Sequence, residues 1–215
     1  MRRTATFAVT FLVLTFAATA LSGVIPPNSR GFGQSLGDWQ RIYWTSTLTG
    51  GSDTEGNVLL MPLPAGEFNP DTGNVEGELS IAIGPGTAFF LPMFVFIGES
   101  YVQPVPDDDP ADFEFLFLDN PDLAAVIRLD GSPVIDSATD DLTAFYAGPE
   151  FFDPPITDGY PINRDVDLDA AAAIWVEGLG FGHPPLPPGE HTLHLLLDTG
   201  LGFGFDNTWH ITVEP

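Results

Sequence analysis

Two identical pentapeptides carry the most suggestive chemistry in this chain. Gly178-Leu-Gly-Phe-Gly182 and Gly200-Leu-Gly-Phe-Gly204 lie 22 residues apart. A glycine-rich dinucleotide fingerprint needs a helix to open at its glycines. The first copy runs towards Pro184-Pro185, and the second runs into Asp206-Asn207 and an apolar alternation. The dinucleotide reading therefore falls. What remains is two wide turns whose Phe181 and Phe203 either pack into one end of a sandwich or present rings to a ligand. Tyr43, in an aromatic run with Trp39 and Trp44, is the third candidate contact, because such rings stack on sugars.

Gly33-Gln-Ser-Leu-Gly37 matches the serine-hydrolase elbow. The elbow needs a strand before it and a helix after it. Here Gly- and Pro-rich residues precede the match and the alternation of a strand follows, so a nucleophilic Ser35 is not expected. Four histidines fall late, at 183, 191, 194 and 210. Zinc needs three or more ligands that converge. His191 and His194 are separated by an odd number and would face opposite sides of a strand.

Carboxylates offer a different chemistry. Asp107, Asp108 and Asp109, with Asp112, form an acidic loop able to supply oxygen ligands to Ca²⁺. Asp165, Asp167 and Asp169 alternate, but the run is not an EF-hand loop: Ala170 stands where glycine is needed and Val176 where glutamate is needed. A structural Ca²⁺ is the one cofactor that the composition leaves open. Two of the 30 acidic residues could also converge for glycosidic cleavage, although nothing in the sequence selects a pair.

The balance of charge narrows the partners. The chain of 215 residues has no lysine, and its net charge is −24. Such a surface repels phosphate backbones and anionic lipid, so nucleic acid is excluded as a partner. It also keeps a protein soluble in salt. There is no cysteine, which removes disulfides, thiol catalysis and a lipid-modified cysteine.

The first twenty residues read as an address. Met1-Arg2-Arg3 is a basic head, Thr4 to Thr19 is uncharged and apolar, and Ala18-Thr19-Ala20 offers small residues for cleavage. This is the pattern of a secretory signal peptide, over residues 1–20. It implies a secreted or periplasmic protein, not a lipoprotein, with no membrane insertion after cleavage. Losing Arg2 and Arg3 makes the mature chain more acidic still.

The elements that would position these residues are strands. Gly and Pro together make 44 residues and fall between short apolar runs, which is the punctuation of many short strands. The runs 39–46, 78–83, 88–97, 113–118, 124–130, 132–135, 144–146, 171–176, 191–197 and 208–213 are the expected strands. Pro92 marks a bulge or a bend, and Asp130-Gly131 a hairpin turn. In the last run Trp209, Ile211 and Val213 point inward. Leu186-Pro-Pro-Gly-Glu-His-Thr-Leu-His-Leu195 resembles the entry to a late strand in secreted immunoglobulin-like and carbohydrate-binding sandwiches, which implies fold class and no site residue.

These readings give an all-β chain: an irregular segment at 21–38, then a single antiparallel β-sandwich at 39–215, immunoglobulin-like or jelly-roll, with about ten short strands. The leading functional expectation is a non-enzymatic exported binding or structural module whose ligand is carbohydrate or another polymer. A glycan-active hydrolase using a carboxylate pair is one alternative. A protein-interaction domain of the cell envelope is the other, so that the partner is carbohydrate or a cell-envelope component.

Overall fold

The computed structural model describes residues 23–26, 28–157 and 168–215. The signal-peptide residues, and Asp165 and Asp167, lie outside them. The described chain is mostly strand, in two sheets packed face to face.

The first element is a helix, α1, Leu36–Thr49. Its start is fixed chemically. The Ser35 hydroxyl accepts from the Asp38 N–H at 3.1 Å, and the Asp38 carboxylate accepts from the Ser35 N–H at 3.1 Å, a reciprocal capping box. Gly50 ends it in a left-handed conformation at φ 65°. The expected strand at 39–46 is therefore corrected to helix. The apparent alternation there is helical spacing. Trp39 and Tyr43 meet Phe90 as one stripe, while Trp44 and Leu48 pack beside Ile97 and Val176 as another.

Sheet one contains β1 (Thr54–Glu55), β2 (Val58–Leu60), β5 (Ala88–Tyr101), β8 (Tyr146–Ile156) and β9 (Ala170–His183), in the order β1-β2-β5-β9-β8. Sheet two contains β3 (Glu67–Asn69), β4 (Asn74–Ile83), β6 (Ala124–Leu129), β7 (Ser132–Asp136), β10 (Gly189–Asp198) and β11 (Gly204–Val213), in the order β3-β4-β11-β10-β6-β7. The expectation of a wholly antiparallel sandwich needs correction, because β2 pairs with β5 and β4 with β11 in parallel. These pairings join strands distant in sequence, and no turn signal announces them.

Helix α1 covers the outer face of sheet one, and the main core lies between the sheets. One bulge in β5 divides its side chains. Phe89 and Leu91 face the inter-sheet core. The extra residue between Pro92 and Phe94 then shifts the alternation, so Phe94 and Phe96 also face inward while Val95 and Ile97 face α1. The bulge expected at Pro92 is thus present.

Other elements follow the sequence to different degrees. Asp130 (φ 51°) and Gly131 (φ 78°) make the β6–β7 turn, with both central residues at positive φ. Trp209, Ile211 and Val213 are buried on β11 as expected, and the Trp209 indole N–H donates to the Pro62 carbonyl at 2.7 Å. The expected strand at 113–118 is instead a 3₁₀ turn at Pro110–Asp112 followed by a short helix, α2, Phe115–Leu118. Asp109 caps that turn ahead of Pro110. At 144–146, Leu142–Phe145 is 3₁₀ and only Tyr146 enters β8.

Candidate functional site

The two pentapeptides do not share a fate. The first is no turn: Gly178 to Gly182 run inside β9 between β5 and β8. Phe181 is 1 % exposed and packs edge-on against Phe89. The second is the loop between β10 and β11, with Gly200 and Gly202 at φ 70° and 85°. The Thr199 N–H and hydroxyl both donate to the Phe203 carbonyl and close it. Phe203 is 36 % exposed. Tyr43 is 3 % exposed, its hydroxyl donates to the Met61 carbonyl at 3.0 Å, and burial pushes its pKa up to about 12. Of the three aromatic candidates, Phe203 alone reaches solvent.

Phe203 stands at the mouth of a cavity of about 430 Å³, within the size range of small-molecule sites. The mouth is completed by Leu201 of the same loop and by Leu63 and Pro64, which lead from sheet one to sheet two. One wall is sheet two: Val75 of β4, then Phe205 and Asn207 of β11. The opposite wall is β5, whose bulge turns Phe94 and Phe96 towards the same space, with Trp44 of α1 beside it. The depth is set by Leu195 and Leu116, both core residues. The opening has a topological cause. The β2–β5 ladder ends at Leu60–Phe90, so beyond Phe90 that side of β5 has no ladder partner among the described strands.

No lining residue of this cavity carries a charge. Phe203 meets Phe94 and Phe205 edge-on, with centroids at 6.5 and 5.9 Å. Such a surface offers dispersion contact and loss of water, and little directional bonding. Two of the lining residues, Asn207 and Trp44, each hold a polar atom behind that surface. Asn207 Oδ1 and Trp44 Nε1 are both enclosed and without a hydrogen-bond partner.

The charged candidates lie elsewhere. Asp108 clasps its loop to β5: its carboxylate accepts from the Glu99 N–H and the Tyr101 hydroxyl, both at 2.9 Å, and its carbonyl accepts from the Trp175 indole. Asp109 accepts from the Ala111 N–H at 3.0 Å. Asp107 and Asp112 are exposed. Among the described residues no three His, Asp or Glu side chains are placed to hold a metal ion. Of the expected ligand set Asp107, Asp108, Asp109 and Asp112, the second and third already accept bonds from donors of the chain, and the first and last face solvent.

The histidines also disperse. The His183 ring nitrogen Nδ1 lies 2.7 Å from the Pro184 carbonyl, and burial lowers the ring's pKa. His191 lies between Asp130 and the Pro187 carbonyl. Partial burial opposes its charge, but those two bonds and the Asp130 charge outweigh it and raise the pKa. His194 pairs with Asp206 at 2.7 Å, and His210 lies 3.9 Å from Glu78. Ser35 is the cap of α1, which gives its hydroxyl a structural role.

A second, acidic cleft lies on the outer face of sheet two. Glu67, Glu76 and Asp206 are register neighbours across β3, β4 and β11, with Glu78 one pleat further along. The Glu76 carboxylate accepts from Asn69 and Thr72, both at 2.8 Å, and Asp206 holds His194. These bonds tie the acids to their own sheet. Among the described residues the most deeply buried carboxylate is Glu177, enclosed between the sheets, where burial raises its pKa and the Tyr146 hydroxyl donates to it at 2.8 Å.

Comparison with protein-family models, curated proteins and solved structures finds no match to this chain. The cavity must therefore be read on its own residues. Of this lining, sequence reasoning named Phe203 and did not name Phe94, Phe96, Phe205 or Asn207. Asn207 lies just ahead of the expected strand at 208–213, and β11 in fact begins at Gly204.

Proposed function

We propose that this protein is a non-catalytic binding module that takes an apolar ligand into the groove between its two sheets. The observation that carries the reading is the uncharged cavity of about 430 Å³, walled by phenylalanines from both sheets and reaching from solvent to the core. Sugar hydroxyls ask for many polar partners, and this wall supplies few, so the polymer ligand expected from composition gives way to an apolar one. Export through the leader at 1–20 is part of the proposal and places the binding event outside the cytoplasm.

The test is fluorescence titration with N-phenyl-1-naphthylamine, a neutral apolar probe whose emission rises on leaving water. Saturable uptake near one probe per chain is expected, with uptake weakened about tenfold in Phe203→Asp, which sets a charge at the mouth. Absence of saturable uptake by the wild-type chain overturns the reading. N-terminal sequencing of the exported chain tests the leader: a start near Leu21 supports it, and a secreted chain still beginning at Met1 refutes it.

A further inference from the structure

Asn207 does not match its surroundings. It occupies an inward position of β11 between Phe205 and Trp209, in register with Leu195 of β10 on one side and Gly77 of β4 on the other. The residue is 7 % exposed, lines the groove, and leaves Oδ1 without a partner. A buried amide normally has its bonds, because an unmet one is costly in an apolar wall. Space is also kept around it. A Cβ on Gly77 would come within 3.1 Å of Asn207 Oδ1 and 2.8 Å of Pro64 Cβ. Trp44, another lining residue, likewise keeps its indole N–H enclosed and unmet.

We infer that the groove's ligand is a neutral, largely apolar molecule carrying a hydroxyl group, and that Asn207 selects it through that hydroxyl. This rests on the apolar-ligand reading above. A hydroxyl both donates and accepts, so it satisfies the amide whichever of its two ends faces the groove, and its oxygen also suits an indole N–H. A carboxylate is disfavoured twice: no cation lines the groove, and the chain as a whole carries a net charge of −24. An ammonium ion would be drawn to the protein but finds no carboxylate in the groove to pair with it. A protein strand or a second copy of this chain is disfavoured by depth, because the cavity reaches Leu195, which is 1 % exposed.

The experiment displaces bound N-phenyl-1-naphthylamine with 1-octanol, octane and octanoate, from wild type, Asn207→Leu and Asn207→Thr. Asn207→Leu is close to isosteric and removes a buried unmet polar group, so it should fold and melt no lower than wild type. The expected result is an octanol-to-octane preference about tenfold lower in Asn207→Leu than in wild type, partly kept in Asn207→Thr, with octanoate weakest on wild type. An equal preference in wild type and Asn207→Leu, with the probe still bound, overturns the selection by Asn207 and leaves the groove reading standing. Tighter binding of octanoate than of octanol overturns the neutral-ligand inference. A wild-type chain that takes up no probe and elutes as a dimer overturns both readings, with a second copy in the groove.

Discussion

Gly178–Gly182 and Gly200–Gly204 are the same five residues in two structures. The first is the middle of a central strand, and the second is a turn held by Thr199. What differs is what surrounds them. Ahead of the first copy lies an apolar run from Ala170 that pairs on both sides, with β5 and β8, so its backbone groups are satisfied by ladders. Ahead of the second stands Asp198-Thr199, whose side chains accept from the Gly200 N–H and donate to the Phe203 carbonyl. Glycine tolerates either conformation, so tertiary pairing decides. The consequence falls on the two phenylalanines: Phe181 becomes core and Phe203 becomes the rim of a groove.

The sharpest way to break this comparison is to truncate both rings. Phe181→Ala should cost roughly 3–5 kcal/mol, as for a fully buried aromatic. Phe203→Ala should cost about 1 kcal/mol, since much of its surface is already in water. Urea denaturation of both variants measures this, and equal losses would mean that Phe203 is core after all. Next come the first glycines. A Cβ on Gly178 would lie 2.3 Å from the Phe94 carbonyl, at φ 149°. Gly178→Ala should therefore cost about 3 kcal/mol. A Cβ on Gly202, at φ 85°, meets nothing within 4 Å, so Gly202→Ala should cost only about 1 kcal/mol of backbone strain.

The residues that precede the two copies sharpen the contrast further. Burial raises the pKa of Glu177 above the ordinary glutamate value of 4.5, against the Tyr146 bond, with Glu114 adding to the rise. The folded chain then holds a proton that the unfolded chain releases. That contribution to stability is complete below 4.5 and is lost as pH rises through the folded value. Glu177→Gln cannot ionise, so its melting temperature should gain on wild type between pH 4 and pH 8; parallel curves would place Glu177 in a wetter setting. A similarly small effect is expected from Thr199→Val, which removes one donor to the Phe203 carbonyl. About 1 kcal/mol of stability and weaker probe uptake should follow, the latter because the loop no longer fixes Phe203.

The legible parts of the fold were those set by local rules. The Asp130-Gly131 turn, the bulge at Pro92 and the inward set of Trp209, Ile211 and Val213 all follow from neighbours a few residues away. Helix α1 was open to the same reasoning and was missed. Ser35 with Asp38, then Trp39 and Tyr43 one turn apart, then Gly50 form a complete helix signature that also reads as strand alternation. The acidic loop was read from composition, which shows that carboxylates are present but not that Asp108 and Asp109 accept bonds from Glu99, Tyr101 and Ala111. The groove was illegible except at Phe203. Its walls come from β4, β5, β11 and α1, and they meet only because two parallel ladders and a bulge bring them together.

The parallel pairing of β4 with β11 also governs the time the chain needs to reach its native state. Until Gly204–Val213 inserts, sheet two exists as two fragments, β3-β4 and β10-β6-β7, each with an open edge. The two strands that β11 joins begin 115 residues apart, at Asn74 and Gly189. Such a closure pays a large loop entropy before any ladder bond repays it, so refolding should be slow for a chain of this size, in the range of milliseconds to seconds. During that interval both edges are open to strands of other molecules, and a chain lacking residues 204–213 would remain in that state.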